Sequence, residues 1–213
     1  MVIKFDTIYY SNLLFIYFIM EILLVCAGIL GLGILVIIAF VVLLYNSLVQ
    51  LKTLVDEAWS GIDIQLKKRY DLIPNLVETV KGYAKHEKGV FEKVAELRTR
   101  AMGAESPGDK AEVEGELTKT LKTLFAVAEN YPELKADQNF LSLQSSLQEI
   151  ETELERSRRY YNGAVRDYNI KIAVFPANLI AGVLGFTKRA FFEVESEEER
   201  KVVKVSFEDK VAP

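Results

Sequence analysis

The segment from Phe140 to Ile172 reads FLSLQSSLQEIETELERSRRYYNGAVRDYNIKI, and its apolar side chains recur at alternating steps of three and four residues. The positions that carry this pattern are Phe140, Leu143, Leu147, Ile150, Leu154, Tyr161, Val165, Tyr168 and Ile172. A pattern held over about nine turns predicts one long helix. Such a helix is roughly 50 Å long, so only another long helix can cover its apolar stripe. The segment therefore predicts helix-on-helix packing.

A second stripe of the same period starts at Leu48 and predicts the partner helix. It comprises Leu48, Leu51, Val55, Ala58, Ile62 and Leu66, with polar residues at most positions between. Pro74 lacks the N–H donor that a helix interior needs but suits a first turn, so we expect a kink or a restart there. A further helix is predicted from Leu76 to about Gly103.

Turn-forming residues separate that helix from the next one. Residues Gly103–Lys110 read GAESPGDK, which predicts an exposed loop. A third bundle helix is expected over Ala111–Glu129.

The segments together predict an all-α fold. In this fold an N-terminal transmembrane helix is followed by an antiparallel helical bundle of about four long helices over residues 45–192.

The transmembrane helix is predicted from one charge-free apolar run, Ile22–Leu44, which is longer than the roughly 20 residues needed to cross a bilayer. No small-residue cleavage site with a polar mature start follows the run, so we expect a retained span and not a cleaved signal peptide. Residues 1–21 form a short tail whose first part is rich in aromatic side chains. That part is either an interfacial segment or a misassigned start, with translation beginning at Met20, and the later start is favoured.

After Ala173 the helical pattern gives way to FPANLIAGVLGF, Phe175–Phe186, which is too short and too broken by Pro and Gly to span a membrane. We expect a short helix that caps the bundle. Residues 193–213 are predicted to form an acidic C-terminal tail, with a short strand considered for Val202–Phe207.

Composition limits the function classes. The chain has 26 basic and 30 acidic residues and a net charge of −4, and no basic stripe indicates nucleic-acid binding. Its single cysteine, Cys26, lies in the apolar run, so no intrachain disulfide can form.

Of the basic residues only Lys4 precedes the span, whereas Lys52 and Lys67–Arg69 follow it. This excess places the N-terminus outside and the bundle in the cytoplasm.

Four blocks of sequence resemble the LemA family. The longest is YNSLVQLKTLVDEAWSGIDIQLKKRYDLIPNLVETVKGYAKHE, Tyr45–Glu87, and the others follow in the family's order at Leu124–Gln144, Arg158–Asn169 and Phe175–Phe186. The resemblance covers about Tyr45–Phe207. It implies a short tail, one membrane helix and an antiparallel bundle anchored in the bacterial cytoplasmic membrane. It carries over no established activity, but implies an association with HtpX-type membrane metalloproteases and membrane quality control.

The residues offer no catalytic constellation, and we predict that the protein is not an enzyme and holds no cofactor or metal. His86 is the only histidine, and no second histidine or cysteine outside the span can join it in a metal or nucleophile site. Carboxylates are numerous, but Glu-x-x-His pairs of the kind that form dimetal sites in bundles do not surround His86. Solvated faces and helix salt bridges are the favoured interpretation of the carboxylates.

Three groups of residues are candidates for contact with a partner, each beside a structural alternative. The first is Asp71, Pro74 and Asn75, for which a helix cap and kink is the favoured interpretation. The second is Tyr161, Asn162 and Asn169, for which a hydrogen-bonded layer in the core is the favoured interpretation. The third is Phe175, Pro176, Val183 and Phe186, which either belong to the bundle core or form an exposed apolar interface with protein or membrane.

Two functions are consistent with these observations. The first is a membrane-anchored interaction or scaffold protein whose partners are the lipid bilayer and either a second copy or a membrane protein, such as an HtpX-type protease. The alternative is a receptor-like sensor whose bundle binds a small ligand and signals through the membrane helix. The absence of site chemistry favours the scaffold, whereas the sensor requires a polar-lined cavity between helices.

Overall fold

The computed structural model describes the backbone of residues 3–193 and the side chains of residues 17–193. The helices in this part are α1 (Ile3–Tyr83), α2 (Lys88–Gly103), α3 (Pro107–Ala128), α4 (Pro132–Lys135), α5 (Gln138–Ala173) and α6 (Ala177–Ala181). No strand occurs among the described residues. The predicted all-α fold is confirmed, since α1, α2, α3 and α5 are long helices and the other two have four and five residues.

The chain divides into two compact units, one ending at Gln50 and one beginning at Leu51. In the first unit, most large apolar side chains between Tyr17 and Tyr45 are exposed. The helix is long and apolar enough there to cross a membrane. As expected, the same helix runs on from the apolar run into the second unit. It already begins at Ile3, so residues 3–21 of the predicted tail are helical.

The restart expected at Pro74 is wrong, because α1 continues through this residue to Tyr83. In a regular helix the carbonyl of Tyr70 would accept a hydrogen bond from the N–H of residue 74, which proline lacks. Arg98 on α2 replaces this donor, with its Nε 2.8 Å from the Tyr70 carbonyl oxygen. The helix therefore continues past Pro74 with the Tyr70 carbonyl still hydrogen-bonded.

The helix predicted from Leu76 to Gly103 is two helices, since the chain turns back between Tyr83 and Lys88. Ala84 lies in this turn and is fully buried. The turn allows Val80 of α1 and Val94 of α2 to be buried in one core. An unbroken helix would carry the second half of its apolar stripe away from the bundle.

The loop between α2 and α3 is shorter than predicted and spans only Ala104–Ser106. Ser106 caps α3, because its Oγ accepts a hydrogen bond from the Asp109 N–H at 3.1 Å. Pro107 occupies the first turn, where a missing N–H loses no helical bond. The turn residues of this segment thus begin a helix.

The long helix predicted from the 140–172 pattern is confirmed as α5, which runs antiparallel to α1 in the second unit. Arg69 Nη2 of α1 is 2.8 Å from Glu151 Oε1 of α5. The ring of Trp59 on α1 lies 5.2 Å from the ring of Tyr161 on α5. Trp59 precedes Arg69 by ten residues, whereas Tyr161 follows Glu151 by ten residues, so the two helices run in opposite directions. The core between the helices is apolar and includes Ile62, Leu66, Leu97, Leu117, Leu124 and Leu154.

Beyond α5 the chain forms the short helix α6, as expected for the Phe175–Phe186 segment. Residues Thr187–Phe192 have no regular secondary structure and return along α5; we call them the strap. The predicted acidic tail lies outside the described residues except for Glu193, and the strand considered at Val202–Phe207 lies outside them entirely.

Candidate functional site

Arg69 and Glu114 are the two charged residues that the described part of the chain buries. Arg69 Nη1 donates to Glu114 Oε2 at 2.5 Å, and the Tyr70 hydroxyl donates to the other oxygen of the same carboxylate. Arg69 Nη2 donates to Thr118 Oγ1 at 2.7 Å and pairs with Glu151 at 2.8 Å. One guanidinium therefore links α1, α3 and α5.

Burial and nearby charges shift the pKa of two groups at this network, Tyr70 and Arg158. Burial, followed by the negative charge of Glu114, raises the pKa of Tyr70 well above its ordinary value, so the hydroxyl stays a donor. Burial also lowers the pKa of Arg158 on α5, an effect that Glu114 and Glu151 oppose. The Nε atoms of Arg69 and Arg158 are buried without a hydrogen-bond partner among the described groups.

A cleft of about 440 Å³ opens beside the network, between α3 and α5. Its apolar lining comes from Leu121, Phe125, Ala126 and Leu147. The polar lining comes from Arg69, Thr118, Lys122, Glu129, Gln144, Gln148, Glu151 and Glu155. The volume lies within the range of small-molecule pockets, and most of the lining residues are polar. The polar-lined cavity that a ligand sensor requires is therefore present.

The strap is bound to α5 by a repeated pair of residues, Tyr161-Asn162 and Tyr168-Asn169. Each asparagine forms two hydrogen bonds with the backbone N–H and carbonyl of one strap residue. Asn162 bonds Phe192 at 2.9 and 3.2 Å. Asn169 bonds Arg189 with both distances at 2.9 Å. The two tyrosine hydroxyls donate to the carbonyls of Ala190 and Thr187, at 2.8 and 3.0 Å.

The spacing of the two pairs explains the fit. Seven residues of α-helix rise about 10.5 Å, and three residues of extended chain rise about 10 Å. Asn162 and Asn169 are seven residues apart, and Phe192 and Arg189 are three apart. All of these bonds go to the strap backbone. Two strap side chains add further contacts: Arg189 pairs with Asp56 at 2.8 Å, and the Phe192 ring lies 5.8 Å from the ring of Trp59.

Tyr161, Asn162 and Asn169, three of the candidate partner residues, thus contact the protein's own strap. The tyrosine is buried and the asparagines are partly buried. The interpretation favoured from the sequence for these residues is a hydrogen-bonded layer in the core. The structure has a similar hydrogen-bonded layer, but it lies between α5 and the strap and not between two helices. The strap has no periodic pattern, so no local signal predicted it.

Asp71, Pro74 and Asn75 are exposed on α1. The Asp71 carboxylate accepts from Lys67 Nζ at 3.0 Å, one turn earlier, and caps no helix. The Asn75 carbonyl accepts from Thr79 Oγ1 at 2.8 Å within the same helix. These three residues leave an outward face of α1 accessible.

The third candidate group divides between surface and core. Phe175 and Val183 are among the most exposed apolar residues described, at 77% and 87%, whereas Phe186 is buried and Pro176 is half-buried. Leu179 of α6 is also exposed, while Ala177 and Ala181 are buried against the bundle. The segment therefore has one face in the bundle and one face outside it.

His86 is exposed in the turn between α1 and α2. Among the residues whose side chains are described, no three His, Cys, Asp or Glu side chains are grouped as metal ligands would be. The described carboxylates are mostly exposed and several pair with basic residues, for example Glu78 with Lys81.

Sequence reasoning missed Glu114 and the structural roles of Arg69 and Arg98. A sequence signal was present for Glu114 and Arg69. Arg69 follows Leu66 by three residues and Glu114 precedes Leu117 by three, so each charge falls on an apolar stripe. A charge at such a position indicates a buried pair. Arg98 has no such signal, since its acceptor is a backbone carbonyl 28 residues away.

Comparison with known proteins places these features in context. The model of the LemA family matches residues 58–207. Magnetosome protein MamQ 2 of Paramagnetospirillum magneticum is 25% identical over 182 residues, covering 73% of this chain and 67% of that protein. Protein LemA of Metamycoplasma hominis is 26% identical over 162 residues, covering 76% and 74%. Magnetosome protein MamQ of Magnetospirillum gryphiswaldense is 21% identical over 192 residues, covering 76% and 71%.

Proposed function

Since the chain belongs to the LemA family and is a membrane-associated helical protein, we propose that it acts as a membrane-anchored scaffold. In this proposal the bundle is held at the bacterial cytoplasmic membrane and contacts other proteins there, and it catalyses no reaction. The supporting observation is α1, one uninterrupted helix that contains both the apolar segment and a wall of the bundle. The Arg98 bond to the Tyr70 carbonyl preserves that continuity at Pro74.

The proposed topology places the N-terminus outside and the bundle in the cytoplasm. Lys52 and Lys67–Arg69 lie on the bundle side of the apolar segment, and this bias supports the orientation. The partner is a second copy or a membrane protein such as an HtpX-type protease, a link that the family resemblance suggests.

The proposed contact surface for that partner is the outward face of α1 at Asp71, Pro74 and Asn75. Ile64, about two turns earlier, is 52% exposed and adds an apolar contact to this face. A mixture of apolar and polar groups on one helix face suits an interface that forms between folded partners.

Site-specific photocrosslinking in intact membranes tests the proposal. A photoreactive residue at Asn75 is compared with the same residue at His86, which is exposed in the turn at the end of α1. We expect self-crosslinks or one dominant protein partner at Asn75 and none at His86. Crosslinks at neither position, or the same diffuse products at both, would contradict the scaffold.

A second candidate, the ligand sensor, is favoured by the cleft between α3 and α5. Ala126 lines this cleft and is exposed, so Ala126→Trp fills the cleft without disturbing the core. Crosslinks at Asn75 that persist in this variant support the scaffold, whereas crosslinks that disappear support a ligand-dependent function.

A further inference from the structure

We propose that the exposed side of the α5–α6 junction docks on the anionic lipid surface of the membrane that anchors the chain. This surface, the apolar end, comprises Ile170, Val174, Phe175, Leu179 and Val183. The inference rests on the proposed membrane anchoring, but it is independent of the identity of the protein partner.

The apolar end is the first observation. Val183, Phe175 and Leu179 are 87%, 77% and 65% exposed, and Ile170 and Val174 are about half exposed. The buried side chains of Ala177, Ala181 and Phe186 fix the other face of the same segment to the bundle. The exposure is thus a property of a packed element, and such a cluster indicates an interaction surface.

Charge is the second observation. The chain as a whole is acidic, with a net charge of −4, but residues 166–190 contain four basic residues and one acidic residue. Asp167 pairs with Arg166, and Arg189 pairs with Asp56. Lys171 and Lys188 then flank the apolar end with positive charge. Apolar side chains with flanking lysines are typical of segments that bind the interface of an anionic bilayer.

The third observation is the position of the apolar end within the second unit. The α1–α5 pairs Arg69–Glu151 and Trp59–Tyr161 show that α5 advances toward the end at which α1 enters this unit at Leu51. From Tyr161 to its end at Ala173, α5 continues for about 18 Å in that direction. The apolar run Ile22–Leu44 ends only a few residues before Leu51. The apolar end therefore lies at the end of the second unit at which α1 enters it.

Lipid quenching of a fluorescent label tests this proposal on the full chain. Cys26 is replaced by serine, and a single cysteine at Val183 carries an environment-sensitive dye. Leu141→Cys is the matched control, because Leu141 is 46% exposed near the opposite end of α5. The protein is reconstituted in vesicles of phosphatidylcholine alone or with an equal amount of phosphatidylglycerol, each with and without a lipid that carries a quencher.

We expect quenching at position 183 in the vesicles with phosphatidylglycerol and none at position 141. Each of Lys171→Gln and Lys188→Gln is expected to lower the ratio of docked to undocked protein about fivefold. A label at position 183 that stays in water in both vesicles would overturn the proposal.

A label that is shielded from water but not quenched by lipid would also overturn the proposal, because a protein would then occupy the surface. Quenching that is equal in the two lipid mixtures would overturn the role of the anionic headgroups. None of these results bears on crosslinking at Asn75, so failure of the docking surface and failure of the scaffold remain distinguishable.

Discussion

Arg69 joins three helices through a single side chain, and the carboxylate of Glu114 neutralises it in the core. A buried ion pair adds little net stability compared with apolar residues of the same shape, but breaking it leaves a charge without compensation. We therefore expect Arg69, through Glu114 on α3 and Glu151 on α5, to constrain the register of the three helices more than it stabilises the bundle.

Glu114→Gln is expected to lower the free energy of unfolding by about 3–5 kcal/mol, because Arg69 then stays buried without its closest counter-charge. Urea denaturation of the full chain in detergent measures this loss. Glu112→Gln is the matched control, since Glu112 is exposed one half-turn away and should change stability little. Equal small effects in the two variants would contradict the assigned role of Glu114.

Asp137 makes the stability of the folded protein depend on pH, and the sign of this dependence follows from the direction of its pKa shift. Its carboxylate accepts from the Phe140 N–H at 2.9 Å and from the Tyr83 hydroxyl at 3.1 Å, and the first of these bonds chiefly lowers the pKa of Asp137 below its usual 3.8. The stabilisation is therefore present above the unfolded-state pKa and is lost as the pH falls through the lower folded value.

Asp137→Asn keeps a neutral capping oxygen but removes this titration. We expect the urea midpoint of the wild type to fall more steeply than that of the variant between about pH 5 and about pH 3. Identical pH slopes would show that the cap at α5 does not depend on the charge.

At the scale of elements, α1 and the strap each depend on hydrogen bonds from elsewhere in the chain. Pro74 stays inside α1 because Arg98 satisfies the Tyr70 carbonyl. The strap has neither helix nor strand bonds of its own, and Asn162 and Asn169 satisfy its backbone instead. Both are compensations that a local sequence pattern does not display.

A double-mutant cycle tests the compensation at Pro74. Arg98→Met leaves the Tyr70 carbonyl unsatisfied and is expected to destabilise the protein by about 1–3 kcal/mol. In a Pro74→Ala background the new N–H can bond this carbonyl, so Arg98→Met should have a clearly smaller effect. The cycle is measured by chemical denaturation, and strictly additive effects would show that the two residues are not coupled.

The strap provides its own protease sites at Lys188 and Arg189. Replacing Asn162 and Asn169 together by leucine removes four hydrogen bonds to its backbone, so trypsin should cleave after these residues at least about tenfold faster. Mass spectrometry of the fragments follows the cleavage. Asn139→Leu, an exposed asparagine near the start of α5, should leave the rate unchanged, and a similar acceleration there would contradict the assigned contacts.

At the scale of the whole molecule, periodicity was sufficient to predict the fold class and the long helices. The three-four pattern of Phe140–Ile172 predicted α5, and the uniform apolar run predicted that part of α1 can cross a membrane. The restart at Pro74 was wrong, because the donor that prevents it lies on another helix. Glu114 was missed although its position on an apolar stripe was a signal, the strap was missed because its partners are set by tertiary structure, and the exposure of Val183 could be decided only once α6 was packed.

These features describe a membrane-associated bundle whose candidate sites are surfaces and a cleft. The outward face of α1, the cleft between α3 and α5, and the apolar end share none of their named residues, so the three proposals can be tested separately. All three depend on one premise, which is that the apolar part of α1 inserts in the membrane.

Alkaline carbonate extraction of membranes from cells that express the full chain tests this premise most directly. The wild type and the bundle control Met102→Arg are expected in the membrane pellet. Leu32→Arg, which places a charge near the middle of the apolar run, should lower the pelleted fraction, because a charge at the centre of a span opposes insertion by about 3 kcal/mol. A wild-type chain released into the soluble fraction would contradict the membrane anchor and the scaffold function that depends on it.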